Sequence, residues 1–287
     1  MIYSNQNLTA NFEVFLKSQL AQLANPSPIL NIWQFNDDLA SHRYIKMKQK
    51  MGQKLGLDIR IQKFEASNMS LEVIQKLQNQ ALIIQLPTPV EVFNGLINGE
   101  NFWDGIFDID FLNYQKAALY WKIGMLPPTL LAIDLVLKEI LWQKTFEPSF
   151  LTKSLSLEGQ TVAVIGQGQL VGSFMVKYLI DRGATIISLN KFTEAAPKLC
   201  TLANIVICAT GVAELVGEEF LQKGALVIDA GTSESGGALK GDLNYSALNS
   251  DNYTLCSSPG GIGPVTVLGI FWNLLQFSSL QEKGLLV

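Results

Sequence analysis

Residues 161–172 read Thr-Val-Ala-Val-Ile-Gly-Gln-Gly-Gln-Leu-Val-Gly, a short apolar run broken by glycines at 166, 168 and 172 and followed by apolar residues at helical spacing. That pattern is a strand, a tight turn and a helix start. Glycine reaches backbone angles closed to other residues, and without a side chain it lets a phosphate approach the amide groups. The helix N-terminus behind such a turn carries a partial positive charge. The spacing of Gly166, Gly168 and Gly172 is one residue longer than the usual dinucleotide fingerprint, so the turn alone leaves nucleotide binding and an ordinary strand-to-helix connection both open.

Outward from this turn the second half alternates strands and helices. Val171, Phe174, Met175, Tyr178 and Leu179 give the following helix an apolar face, and residues 184–189 form the next strand. In a dinucleotide fold the end of that strand selects the cofactor: an acid binds the ribose 2′-hydroxyl of NAD, and a cation accommodates the 2′-phosphate of NADP. Here it reads Asn190-Lys191, which favours NADP and leaves NAD possible. Strands at 205–209 and 225–229 end in Thr210-Gly211 and in Ala230-Gly231-Thr232, small residues that allow a flat cofactor close to the backbone. The loop Ser258-Pro259-Gly260-Gly261-Ile262-Gly263-Pro264 then precedes a helix from Val265, with Pro264 suited to its first turn.

The first half has the same alternation. Leu8, Phe12, Phe15, Leu16, Leu20 and Leu23 lie on one stripe of a helix ending before Pro26. Strands are expected at 29–35, at 57–61 and at 81–84, separated by a helix from Ala40 to Leu55 with Gly56 as its C-cap, and by a helix from Ser70 to Gln80. Tyr44 and Lys48, four residues apart, share a helix face. Alone, Lys48 reads as one of a solvated row with Lys46, Lys50 and Lys54. Gln85-Leu86-Pro87-Thr88-Pro89 follows the third strand at its carboxyl end, where open α/β sheets bind ligands. Trp103-Asp104-Gly105 reads as a turn.

The chain of 287 residues is long enough for two α/β domains, the second Rossmann-like. We place the first at 1–125, completed by a C-terminal helix at 264–287, and the second at 126–263. A formal charge of -4 supplies no basic field, so nucleic acid is not an expected partner. Cys200, Cys208 and Cys256 lack zinc-site spacing and His42 is the only histidine, so no metal is expected. No apolar run approaches the roughly 20 residues of a membrane span, and the N-terminus lacks a basic segment followed by an apolar core. A soluble, cytoplasmic protein with no membrane partner is the expectation.

Assembled in order, these motifs resemble the methylenetetrahydrofolate dehydrogenase/cyclohydrolase family. The parallels are Ala40-Ser41 with Tyr44 and Lys48, the 85–89 segment, Asp104-Gly105, 166–172, 225–231, Gly241-Asp242 and 259–266. The resemblance implies two α/β domains flanking a cleft that holds the active site, a last helix returning to the first domain, and a homodimer. It implies NADP-dependent oxidation of 5,10-methylenetetrahydrofolate to the methenyl cation, and hydrolysis of that cation to 10-formyltetrahydrofolate. By family position Lys48 is the catalytic lysine of the hydrolytic step, Gln85 its hydrogen-bond partner, Tyr44 a substrate-positioning ring and Asp104 the anchor of the pterin. Pro259, Gly260 and Gly261 then bind substrate. Gly166, Gln167, Gly168, Lys191, Thr210, Gly211 and Thr232 hold the cofactor. The chain departs from the family at Gln167, Gly168 and Asn190, where Arg, Ser and His are usual. Two other readings stay open: a folate- or nucleotide-binding protein without turnover, and a different NAD(P) dehydrogenase of similar plan in which Lys48 has no role.

Overall fold

The computed structural model describes residues 1–23, 28–65, 76–92, 94 and 102–284. The chain folds as two compact units, one of residues 13–128 with 267–287 and one of residues 1–12 with 129–266.

In the first of these, β1 (Ile29–Gln34), β2 (Asp58–Lys63), β3 (Gln80–Gln85) and β4 (Ile106–Asp108) form one parallel sheet in the order β2-β1-β3-β4. Strands β1 and β3 are buried along nearly their whole length, as central parallel strands covered on both faces must be. Helix α1 (Gln6–Leu20) runs through the boundary between the units, and α2 (Leu39–Leu55) connects β1 to β2. Asp38 caps α2 by accepting the Ser41 amide at 2.8 Å, and Gly56 ends it at φ 74°, the left-handed conformation anticipated for that glycine. The helix expected from Ser70 falls mainly outside the described residues, and residues 76–79 form turns. Helix α3 (Tyr114–Lys122) follows β4, with the Asn113 side chain as its N-cap.

The other unit contains α4 (Pro128–Trp142) from Thr129 onward, β5 (Thr161–Ile165), α5 (Gly172–Asp181), β6 (Thr185–Leu189), α6 (Ala196–Cys200), β7 (Ile205–Cys208), β8 (Leu226–Asp229), the hairpin β9 (Ser233–Ser235) and β10 (Ala238–Lys240), and β11 (Thr254–Cys256). Its five-stranded sheet is parallel in the order β11-β8-β7-β5-β6. The chain moves from β5 outward to β6 and then crosses to β7 on the other side, which makes the β5/β7 edge a topological switch point. Residues 1–12, assigned from sequence to the first domain, group with this unit. Ile2 bridges Leu255, and the terminal ammonium donates to the carbonyls of Ser250 and, at 2.5 Å, Tyr253.

Helix α7 (Ile262–Glu282) is long and apolar enough to cross a membrane by length and composition alone. Val265, Leu268, Phe271 and Leu274 along it are fully buried, the burial of a core helix.

Candidate active site

In the four-stranded sheet the switch point lies between β1 and β3, where Gln34 pairs with Gln85 in register. Lys48 projects there from α2. The buried residues of that helix are Ser41, Ile45, Lys48, Gly52 and Leu55, so Lys48 occupies the apolar stripe rather than the solvated face its neighbours suggest. Its ammonium donates to Gln85 Oε1 at 3.0 Å, and Asp110 Oδ2 lies 3.7 Å away. Gln85 donates in turn to the Leu86 carbonyl at 3.0 Å, which fixes the orientation of its amide. Burial lowers the Lys48 pKa, and the Asp110 carboxylate opposes that shift. Tyr44, half-buried, sits one turn earlier on the same helix.

Asp104 does not join this group, and its expected place is corrected. It precedes β4, and the register pairs Gln80 with Ile106, so Asp104 stands at the amino end of the sheet. There its carbonyl accepts from the Gln78 side chain at 2.9 Å. Gln85 ends β3 at the opposite end, and the six residues of β3 span roughly 17 Å. Asp110, two residues beyond the carboxyl end of β4, is the acid that reaches Lys48. The signal was present as Asp108-Ile109-Asp110, but a three-residue strand leaves too little alternation to be seen before it.

The other sheet gathers the remaining predicted residues at the carboxyl ends of its strands: Gly166, Gln167 and Gly168 after β5, Lys191 after β6, Thr210 and Gly211 after β7, Thr232 after β8, and Pro259, Gly260 and Gly261 after β11. Gly166 has φ 103°, and a Cβ there would fall 2.3 Å from the Ala209 carbonyl oxygen, so the turn must be glycine to pass β7 at the switch point. Among the described residues, no atom beyond its chain neighbours lies within 4 Å of where a side chain at Gly168 would begin, and no side chain caps the N-terminus of α5 behind it. A bare turn before a helix N-terminus is a cradle fit for a pyrophosphate. Gln167 donates to Ser188 Oγ at 2.9 Å and accepts from Asn190 Nδ2 at 3.0 Å, so two mutually bonded amides stand at the positions where Arg and His were expected from the resemblance. The Lys191 ammonium lies 5.0 Å from the Phe192 ring centroid.

Sequence reasoning missed what supports these loops. Asp242, fully buried, accepts the Thr210 amide at 2.6 Å and the Gly211 amide at 3.4 Å. Asp229 accepts the amides of Gly231, Asp242 and Leu243 and the Tyr245 hydroxyl, and burial raises its pKa to about 6. Ser258 Oγ donates to the Gly231 carbonyl at 2.6 Å and lies 3.3 Å from Thr232 Oγ1. Asn5 donates to the carbonyls of Gly260, at 2.8 Å, and Gly261. Gly241-Asp242, the 225–231 segment that holds Asp229 and the loop opening at Ser258 stood out beforehand, none of them in this supporting role.

A parallel sheet with a glycine turn at its switch point defines a Rossmann-like NAD(P)-binding unit, here in a chain with a second α/β unit carrying a buried lysine. The comparisons agree. Residues 150–282 match the model of the tetrahydrofolate dehydrogenase/cyclohydrolase NAD(P)-binding domain. The bifunctional protein FolD of Streptococcus thermophilus is 26% identical over 297 aligned residues, covering 99% of each chain. That of Metamycoplasma arthritidis is 29% identical, covering 99% of this chain and 95% of its own. In fold, the chain is similar to the methylenetetrahydrofolate dehydrogenase-cyclohydrolase of Trypanosoma brucei, solved with NADP and an inhibitor, at a TM-score of 0.80, 20% identity and coverage of 99% and 98%. Over residues 150–282 the chain matches that family's NAD(P)-binding domain, and over its whole length it is similar to bifunctional FolD proteins.

Proposed function

We propose that this protein is a bifunctional enzyme that oxidises 5,10-methylenetetrahydrofolate to the methenyl cation with NADP and hydrolyses the cation to 10-formyltetrahydrofolate. The observation that carries the hydrolytic half is the buried Lys48, hydrogen-bonded to Gln85 at 3.0 Å and 3.7 Å from Asp110. Burial disfavours the ammonium, and a cationic substrate beside it disfavours the ammonium further, so Nζ becomes a base able to take a proton from the water that adds to the methenyl carbon. Gln85 Oε1 accepts from that amine and holds it in one orientation. Tyr44 supplies a ring for the folate. Asp110 takes the pterin-anchoring role first given to Asp104, since a carboxylate accepts the N–H groups of an aminopyrimidine ring.

NADP, when bound, supplies the hydride acceptor. The chain's part in that step is positioning: the 166–168 turn for the phosphates, Lys191 for the 2′-phosphate, and the loops at Thr210, Thr232 and 259–261 for the two reacting rings. Asn190 in place of an acid supports NADP, and NAD remains a usable cofactor. Three buried free thiols, at Cys200, Cys208 and Cys256, support a reducing, cytoplasmic setting. A homodimer is the assembly that the resemblance implies.

Following NADP reduction with methylenetetrahydrofolate, and then the loss of methenyl absorbance, tests both halves. Wild type should show both. Lys48→Ala should lose hydrolysis and keep a larger share of the dehydrogenase. Equal hydrolysis by the variant would remove Lys48 from the mechanism, and cofactor binding without either signal would mark a binding protein.

A further inference from the structure

Asp108 ends β4 and is wholly buried at 0% exposure. Its Oδ2 accepts the Asn113 amide at 2.7 Å, and the Leu112 and Phe111 amides also favour its charged form. One carboxyl thus closes the turn that carries Asp110. Within that turn Phe111 adopts φ 60°, a left-handed step costing a side-chain-bearing residue roughly 1–2 kcal/mol. Its ring is fully buried, 5.0 Å from the Tyr120 ring, so packing holds the step in place from one side and Asp108 from the other.

A carboxyl is a costly choice for this position. Asp108 Oδ1 is buried without a partner, and burial raises the Asp108 pKa to about 8, with Asp110 adding repulsion. An apolar side chain would avoid that cost, but it would leave the turn's amides without their acceptor. No hydrogen bond or ion pair joins Asp108 to Lys48 among the described residues, and the carboxylate that does reach the lysine is Asp110. The titratable groups that face Asp108 are Asp110, from its own turn, and Tyr120, from α3.

We propose that Asp108 is a positioning residue of the hydrolytic site: its carboxyl folds the 109–113 turn so that Asp110 is aimed at Lys48, and it thereby sets the charge state of that lysine. The inference rests on Lys48 being the hydrolytic base, but its test does not.

The test follows the Lys48 amine by NMR titration of the full-length protein carrying labelled lysine. Asp110→Asn removes the opposing charge and should lower the Lys48 titration by about 1–2 pH units. Asp108→Ala should lower it by a similar amount, and the double variant no further than either single one, because two residues acting through one contact are not additive. Asp108→Asn keeps an acceptor oxygen and should stay near wild type. Hydrolysis, where present, should fall about 100-fold in Asp108→Ala, the scale of a small misplacement in an active site. If Asp108→Ala fails to fold, Asp108→Leu fills the volume without an acceptor and carries the same comparison. An unmoved Lys48 in Asp108→Ala, or shifts that add in the double variant, would overturn the proposal. A wild-type protein without hydrolysis would strike the functional reading instead and leave the titration to decide this one.

Discussion

At Gly231 one methyl group separates a supported cofactor loop from a displaced one. A Cβ there would lie 1.9 Å from Asp242 Oδ1, and Asp242 is the acceptor for the Thr210 and Gly211 amides. Gly231→Ala should therefore push the carboxylate away and raise the Michaelis constant for NADP about tenfold, the worth of one hydrogen bond to a charged group. Methenyl hydrolysis, assayed with the methenyl compound supplied directly, should be unchanged, because Lys48 and Gln85 belong to the other unit. Loss of both activities together would mean that the substitution unfolds the protein. The ordered motifs marked Lys48, Gln85 and the 166–172 turn through the family resemblance, and the structure places the Lys48 ammonium 3.0 Å from Gln85 Oε1. Asp242 and Asn5 were illegible as supports, because their partners lie 32 and 255 residues away along the chain. Asp104 misled because a strand of three residues hid which end of the sheet it occupies.

Helix α2 matters as an element because it carries Tyr44 and Lys48 on a fixed turn. Its periodicity was legible, and so was its glycine stop. Its start was placed at Ala40 with no cap named, whereas Asp38 is a working cap: Oδ1 accepts the Ser41 amide at 2.8 Å and Oδ2 the Ser41 hydroxyl at 2.7 Å. Ser41 also donates to the Leu86 carbonyl at 3.0 Å, tying the helix start to the segment that follows Gln85. Asp38→Ala should cost about 1 kcal/mol of stability, seen as a lower denaturation midpoint at unchanged slope. A loss no larger than that of an exposed substitution on the same helix would show that the cap contributes little. What the sequence could not show is which face α2 buries. Its lysines at 46, 48, 50 and 54 look alike in sequence, and only packing against the sheet singles out Lys48.

Across the whole molecule both sheets follow one rule: the chain steps outward from a central strand, crosses back, and leaves a crevice at the carboxyl ends where functional groups collect. That plan was legible because it rests on alternation and strand ends, which are local. The charge carried by each unit was not, because it depends on burial. Asp108 in one unit and Asp229 in the other have pKa values raised by burial to about 8 and about 6, against roughly 3.9 in an unfolded chain. A carboxyl whose folded pKa is raised binds its proton more tightly when folded. Its contribution to stability is thus complete below about pH 4 and is lost as pH rises through the folded value. Comparing wild type with Asp108→Asn, and separately with Asp229→Asn, cancels the titration of the other groups. The stability difference for Asp108→Asn should shrink continuously from about pH 4 to 8, by up to about 1.4 kcal/mol per pH unit. That for Asp229→Asn should shrink only to about pH 6 and then level off. Denaturant unfolding of the three proteins across this range reads both windows. A flat difference for Asp108→Asn between about pH 6 and 8 would mean that Asp108 is already ionised in the folded protein, and that its turn is held by a charged carboxylate rather than a neutral acid.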